Sequence, residues 1–357
     1  MWSAGIAWDR TGYEVACLRS DGTAAPSARF AADEVARIAA HVRTVCGPGA
    51  TAVVDSTNGL LDGPLRVLGL TVLRADPWDL PARPADGSVT AAELAACALA
   101  HPGRLVATDD DAGTLKGRVP ELAAHSQRSA ETAADLAGQG LYLLRGEEHS
   151  DGEEHSDGDG PGDGDGRGRR IALTFDDGPT APYTDLVLDI LRDHGVPGTF
   201  FCVGLHAAAS PGTVARIAAE GHRIGNHTWS HPFLPDLSRD DLLFQLDATN
   251  AALEAVTGVR PGYLRTPYGS RTPDTLRWTA EHGMVTVLWD TDTRDWAGPG
   301  AEQIVANARQ QARDGSIVLM HDGGGDRSQT VAALPVLIGG LLDDGYRLVT
   351  VDELVGG

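Results

Sequence analysis

Thr174-Phe175-Asp176-Asp177-Gly178-Pro179 is the stretch on which the reading of this chain turns. The apolar run Ile171-Ala172-Leu173 leads into it and a helical pattern follows, so it marks the end of a buried strand. Two adjacent carboxylates there repel each other and both lose water, which opposes folding. A bound cation with a catalytic task would explain both. A polar strand-to-helix turn, with an Asp cap and a Gly-Pro break, accounts for the same six residues on structural grounds alone. The residues downstream decide between the two.

From Ile171 onward strand and helix patterns alternate. Strands are expected at Ile171-Phe175, Gly198-Val203, Arg223-Asn226, Gly262-Arg265, Val285-Trp289, Ile317-His321 and Leu348-Val351. Between them, Asp185 to His194 is a helical stretch ending at Gly195, and Val214 to Glu220 ends at Gly221. Ser238 starts a long helix with Asp241 in its first turn, and Thr272-Pro273 is a cap followed by a first-turn proline. This order predicts a barrel-like parallel sheet, in which catalytic groups gather at the C-terminal strand ends.

The unusual polar residues fall at those ends. His227-Thr228-Trp229-Ser230-His231 follows the strand Arg223-Asn226, and its two histidines four apart would share one face of a helical turn. With Asp177 they make two imidazoles and one carboxylate, a set of three that leaves room on a metal for water and substrate. Arg265-Thr266-Pro267-Tyr268-Gly269, Asp292-Thr293-Arg294-Asp295-Trp296 and Leu319-Met320-His321-Asp322 end three further strands. An amide or ester carbonyl needs a Lewis acid, a nucleophile and a proton for the leaving group, and this inventory can supply all three.

In these five motifs, taken in order, residues 171–351 resemble the polysaccharide deacetylase family, the NodB-type carbohydrate esterases. The resemblance implies a distorted (β/α)7 barrel and metal-dependent removal of an acetyl group from a sugar, with zinc the usual ion and cobalt or another divalent ion a substitute. It implies that Asp177, His227 and His231 hold the metal and that Asp176 is the general base, with Arg265 orienting it. It further implies that the Tyr268 backbone N–H faces the oxyanion, that His321 is the general acid with Asp295 tuning it, and that Trp296 and Leu319 wall the acetyl-methyl pocket. Thr266 stands where the family often has proline. A substrate of the N-acetylglucosamine type is favoured over acetyl-xylan; a non-sugar amide or ureide, and an inert barrel in a binding protein, are the alternatives.

Upstream, residues 146–168 form an acidic Gly/Asp/Glu-rich linker in which Glu147-Glu148-His149-Ser150-Asp151-Gly152 repeats at Glu153 to Gly158; it is expected to be disordered. It sets off an N-terminal α/β unit, residues 1–145, from a catalytic unit, residues 169–357. In the former, Gly5-Trp8 and Glu14-Leu18 read as a hairpin around Thr11-Gly12. Helices follow at Ala32-Val45, Gly59-Leu68 and Ala91-Ala100, and strands at Thr51-Asp55, Leu70-Leu73 and Leu105-Ala107, with Tyr142-Leu144 closing the unit. The order is compatible with a ribonuclease-H-like or actin-like domain, but Ala7 stands where a nuclease would carry a metal-binding carboxylate, and Asp109-Asp110-Asp111 reads as a solvated turn.

Bulk properties bound the class of protein and of partner. Of the 357 residues, 42% are hydrophobic, enough for a sizeable core, and the net charge of -21 opposes binding to nucleic acid or anionic lipid. The four cysteines have no metal spacing. Neither a signal peptide nor a membrane span is read in the sequence, so a cytoplasmic location is expected by default. The partner expected is an acetylated saccharide.

Overall fold

The computed structural model of the protein describes residues 1–55, 60–75, 80, 87–107, 142–143 and 168–355. The acidic repeat and Asp109-Asp111 lie outside the described residues. Two sheets organise the chain.

The first sheet contains β1 (Trp2–Asp9), β2 (Gly12–Arg19), β3 (Ala28–Phe30), β4 (Thr51–Asp55), β5 (Thr71–Ala75) and β6 (Val106–Ala107), in the order β3-β2-β1-β4-β5-β6. β1, β2 and β3 are antiparallel, β4 and β5 continue the sheet in parallel, and β6 runs antiparallel along β5. Together with its helices this sheet makes a separate α/β unit. Alternate residues of a strand point to opposite faces, and both faces are apolar here. Ala4, Ile6 and Trp8 pack toward the helices Val35–Cys46 and Asp62–Val67, while Ala7, Ala16 and Val53 pack under Ala91–Ala100. Gly5 lets that last helix approach closely, since a Cβ on it would lie 1.9 Å from the Ala91 carbonyl oxygen.

The second sheet contains β8 (Arg170–Asp176), β9 (Thr199–Cys202), β10 (Arg223–Asn226), β11 (Tyr263–Leu264), β12 (Val285–Val287), β13 (Thr291–Asp292), β14 (Ile317–His321) and β15 (Arg347–Val349). All its pairings are parallel, in the order β13-β14-β8-β9-β10-β11-β12, with β15 beside the start of β8. It curls around a small interior as a distorted (β/α) barrel. Period-two alternation sets the two layers. Ile171, Leu173 and Phe175 of β8 and Val318 and Met320 of β14 face outward onto the helices Tyr183–His194 and Ser328–Asp343. Ala172 and Ile317 face inward with Phe201 and Val287. The inward columns of β8 and β14 therefore end on Asp176 and His321, which stand opposite each other in the strand register.

The helix stops are those the composition dictates. Gly195 and Gly258 take left-handed C-cap positions, and Ser238 and Thr272 form capping boxes with Asp241 and Thr275. Three expectations are corrected. Tyr142–Leu143 (β7) does not close the N-terminal unit but pairs parallel with β12 of the barrel, because a two-residue apolar run carries no signal of its partner. Gly59-Leu68 is reduced to the helix Asp62–Val67 within the described residues. The short strand β13 was not expected; two residues are too few to show alternation. Among the described residues, no helix is long and apolar enough to cross a membrane.

The two units share a core. Val203, Leu205 and Trp229 of the barrel belong to the same apolar cluster as Ile6, Trp8 and Val54. Trp229 Nε1 donates to the Asp9 carbonyl at 3.4 Å, the Trp8 and Phe244 rings stack at 6.4 Å, and the Arg10 guanidinium lies 4.6 Å over Phe244. A chain beginning at residue 169 would uncover Val203, Leu205 and Trp229, each worth about 1.5–3 kcal/mol when buried. Its thermal midpoint is expected to fall well below that of the full chain by calorimetry; an unchanged midpoint would show that the shared core adds no stability.

Candidate active site

At the end of β8 the chain turns sharply. Asp177 takes a left-handed φ of 78°, which directs its side chain away from the strand column that carries Asp176. Close approach of the loop after β14 accompanies the turn: a Cβ on Gly323 would lie 2.4 Å from the Asp177 carbonyl oxygen. Asp177 Oδ1 lies 3.3 Å from His227 Nε2 and 3.3 Å from His231 Nε2, and the two imidazole rings stand 4.9 Å apart. The pair does not sit on a helical turn. The segment after β10 is a loop in which Thr228 and His231 both take left-handed backbone angles, so the four-residue spacing is closed by loop strain instead of helix geometry.

The donor chemistry fits a divalent ion. One donor atom from each of Asp177, His227 and His231 lies within 4.8 Å of the others, and all three residues are buried. Asp177 Oδ1 has no hydrogen-bond partner among the described residues, a costly state for a buried carboxylate oxygen in the absence of a cation. Separations of 3.3 Å suit donors sharing one ion at about 2.0–2.1 Å. His227 Nδ1 donates to the Arg265 carbonyl at 2.7 Å, which leaves the Nε2 lone pair facing Asp177. Burial lowers the His231 pKa, favouring the neutral, ligating form. Burial also opposes ionisation of Asp177, but in the ion-free protein His231 and His227, when they carry a proton on Nε2, outweigh it and hold the carboxyl well below its ordinary value.

Asp176 stands beside this set. Its Oδ1 accepts from Arg265 Nη1 at 2.9 Å, and its Oδ2 lies 3.8 Å from His227 Nε2. Arg265 has no exposed surface. Its guanidinium also donates to Thr174 Oγ1 at 2.6 Å and to the carbonyls of Val287 and Leu288 at 3.2 and 3.1 Å, so a buried charge keeps its hydrogen bonds.

One strand over, His321 Nδ1 donates to Asp295 Oδ1 at 2.7 Å. The His321 backbone N–H and the Thr330 hydroxyl both donate to Asp295 Oδ2 at 2.8 Å. Burial alone would lower the His321 pKa, but the Asp295 charge and hydrogen bond reverse that and raise it to about 9. Tyr268, at φ 59°, sets its ring edge-on to His231 at 4.5 Å and is 42% exposed. Trp296 follows Asp295 directly and is 43% exposed, so it is no core residue, while Leu319 is buried on the inward column of β14.

Two contributors were given no role by the sequence motifs. His206 Nδ1 donates to the Asp177 carbonyl at 2.7 Å and braces the left-handed turn. Asp322 accepts from the Gly178 N–H at 3.1 Å and the Thr184 hydroxyl at 2.7 Å, and burial raises its pKa to about 7. Its place beside His321 was the available signal; His206 offered none.

Comparison with known proteins gives one consistent result. Residues 163–287 match a family model described as polysaccharide deacetylase. The chain is 44% identical over 188 residues to a peptidoglycan-N-acetylglucosamine deacetylase of Bacillus cereus, covering 52% of this chain and 87% of the relative. It is 41% identical to a chitooligosaccharide deacetylase of Bradyrhizobium, covering 52% and 90%. A crystal structure of the Bc1960 peptidoglycan N-acetylglucosamine deacetylase with an N-oxidanyl-benzamide ligand superposes with a TM-score of 0.51 at 39% identity, over 52% of this chain and 87% of the other.

Asp177→Ala and His231→Ala are expected to lose a stoichiometric bound divalent ion, as read by elemental analysis of the purified protein. Asp176→Ala is expected to keep it. Loss of the ion from Asp176→Ala alone would exchange the assignment of the two aspartates.

Proposed function

The chain belongs to the polysaccharide deacetylase family, and we propose that it hydrolyses the acetamide of N-acetylated saccharides, using residues 168–355 as the catalytic unit. The observation that carries this reading is the convergence of three sets on one barrel end. These are the buried Asp177, His227 and His231 donors, the Asp176–Arg265 ion pair and the His321–Asp295 pair. Glycans of the N-acetylglucosamine type are the substrate class that the related enzymes' names support. Zinc suits a set of two imidazoles and one carboxylate, with cobalt an alternative.

A divalent ion held by Asp177, His227 and His231 would polarise the acetyl carbonyl and lower the pKa of water from 15.7 toward about 7. The protein's own groups manage the protons. Arg265 holds Asp176 through Oδ1, leaving Oδ2 on the His227 side to accept the proton of the attacking water. Asp295 holds His321 through Nδ1, so the Nε2 proton is the one delivered to the leaving amine as the C–N bond breaks. Acetate and a free amine result. The Tyr268 backbone N–H is placed in the oxyanion role, where one donor is worth about 2.7–4 kcal/mol. Trp296 and Leu319 are the proposed walls for the acetyl methyl group.

Acetate release from chitooligosaccharides is expected with the full chain and should stop on complete chelation; release that persists without metal overturns the reading. Asp176→Ala should cost about 10²–10⁴-fold in kcat. Because His321 is raised to about 9, it is protonated below that pH and the acid is lost above it, giving kcat/KM an alkaline limb near pH 9. In Asp295→Asn the raising charge is gone and burial prevails, so the limb should move to lower pH. A limb that stays in place would remove His321 from the acid role.

A further inference from the structure

The contact between the two units reaches the catalytic site. A Cβ on Gly63, at the start of the helix Asp62–Val67, would lie 3.4 Å from the Gly324 carbonyl oxygen in the loop after β14. A Cβ on Gly324 would in turn meet Asp177 Oδ2 at 2.4 Å and Leu60 Cδ2 at 3.0 Å. One point in space is therefore flanked by a carboxylate oxygen of the candidate metal set and by a leucine methyl of the N-terminal unit. Tyr268 sits 4.5 Å from His231, another of the candidate donors.

The corner is held against the site from behind. Leu61 and Leu65 are buried in the same apolar cluster as Trp229, the residue between the two candidate histidine ligands. A wall seated on a shared core resists displacement by an incoming glycan more than a loop in solvent would. A cleft that crosses a barrel mouth needs both flanks open to pass a strand through it; here the Gly324 flank carries the Leu60–Gly63 corner.

We propose that the N-terminal unit is a substrate-selecting wall of the deacetylase cleft: Leu60–Gly63 closes the flank beside Gly324, so the site takes a short N-acetylated oligosaccharide or a chain end, and not the interior of a long glycan. The inference rests on the deacetylase reading and gives the N-terminal unit a role in choosing substrate. It requires no chemistry beyond the hydrolysis already described.

The test compares chitotetraose with soluble polymeric glycol chitin, per acetyl group, using the full chain. The wild-type protein should favour the tetramer by about tenfold or more in kcat/KM. The double substitution Leu60→Ala with Asp62→Ala should shift that ratio toward the polymer by about fivefold. Leu60→Trp, which thickens the wall, should raise KM for the tetramer more than it lowers kcat. Equal wild-type use of both glycans, or a ratio unmoved in both variants while circular dichroism stays native, overturns the proposal. If the wild type releases acetate from neither glycan, the deacetylase reading fails separately. The wall is then judged by binding of the same two glycans to Asp176→Ala, followed by tryptophan fluorescence. Binding of the tetramer alone supports it; equal binding, or binding of neither, overturns it.

Discussion

The fully buried guanidinium of Arg265 is the constraint from which the rest of the site follows. A charge inside a barrel is tolerated only when a counter-charge and a full set of acceptors surround it. Here the counter-charge is Asp176, and the acceptors come from Thr174 on β8 and from the carbonyls of Val287 and Leu288 at the end of β12. The Phe201 ring lies under the guanidinium at 4.2 Å. The Arg265 carbonyl receives His227 Nδ1–H. One arginine thus orients the proposed base with its side chain and a proposed metal ligand with its backbone. Removing one partner of such a pair typically costs about 3–5 kcal/mol, since the other is left charged and buried. Stability and chemistry therefore lean on the same bonds.

Around that centre, backbone strain collects at the mouth of the barrel. Among the described residues, the non-glycine positions with left-handed backbone angles are Asp177, Thr228, His231, Tyr268 and Arg294. All lie in loops at the C-terminal ends of barrel strands, and none lies in the N-terminal unit. Each such conformation costs energy, of order 1–3 kcal/mol, and persists only where neighbouring contacts determine it. His206 on the Asp177 carbonyl and Gln245 on the backbone N–H groups of Trp229 and Ser230 are contacts of that kind. Strain at these turns lets short loops direct several side chains toward one point.

Much of this was legible in the chain itself. Every motif that the residues suggested falls at the C-terminal end of a barrel strand. Asp176 and His321 could be placed because each ends an apolar run whose alternation fixes which residues face inward. The His227–His231 spacing pointed to a pair that the structure does bring together, though through a left-handed loop and not the helical turn expected. His206 and the strand Tyr142–Leu143 were beyond reach. The first contributes through one ring nitrogen with no spacing around it, and the second is too short to reveal which sheet it joins. The placement of Leu60–Gly63 against Gly324 was equally hidden, because packing between units depends on surface shape and not on any periodic pattern.

The register between β8 and β14 carries one more implication. Asp176 and His321 occupy the same rung of a parallel ladder, so the gap between the proposed proton acceptor and the proposed proton donor is one inter-strand spacing, about 4.7–4.9 Å at the backbone. Neither loop plasticity nor rotamer choice sets that gap; the peptide hydrogen bonds do. Inserting or deleting a single residue early in either strand would turn Asp176 or His321 outward into the surrounding helices, together with the rest of that strand's inward column.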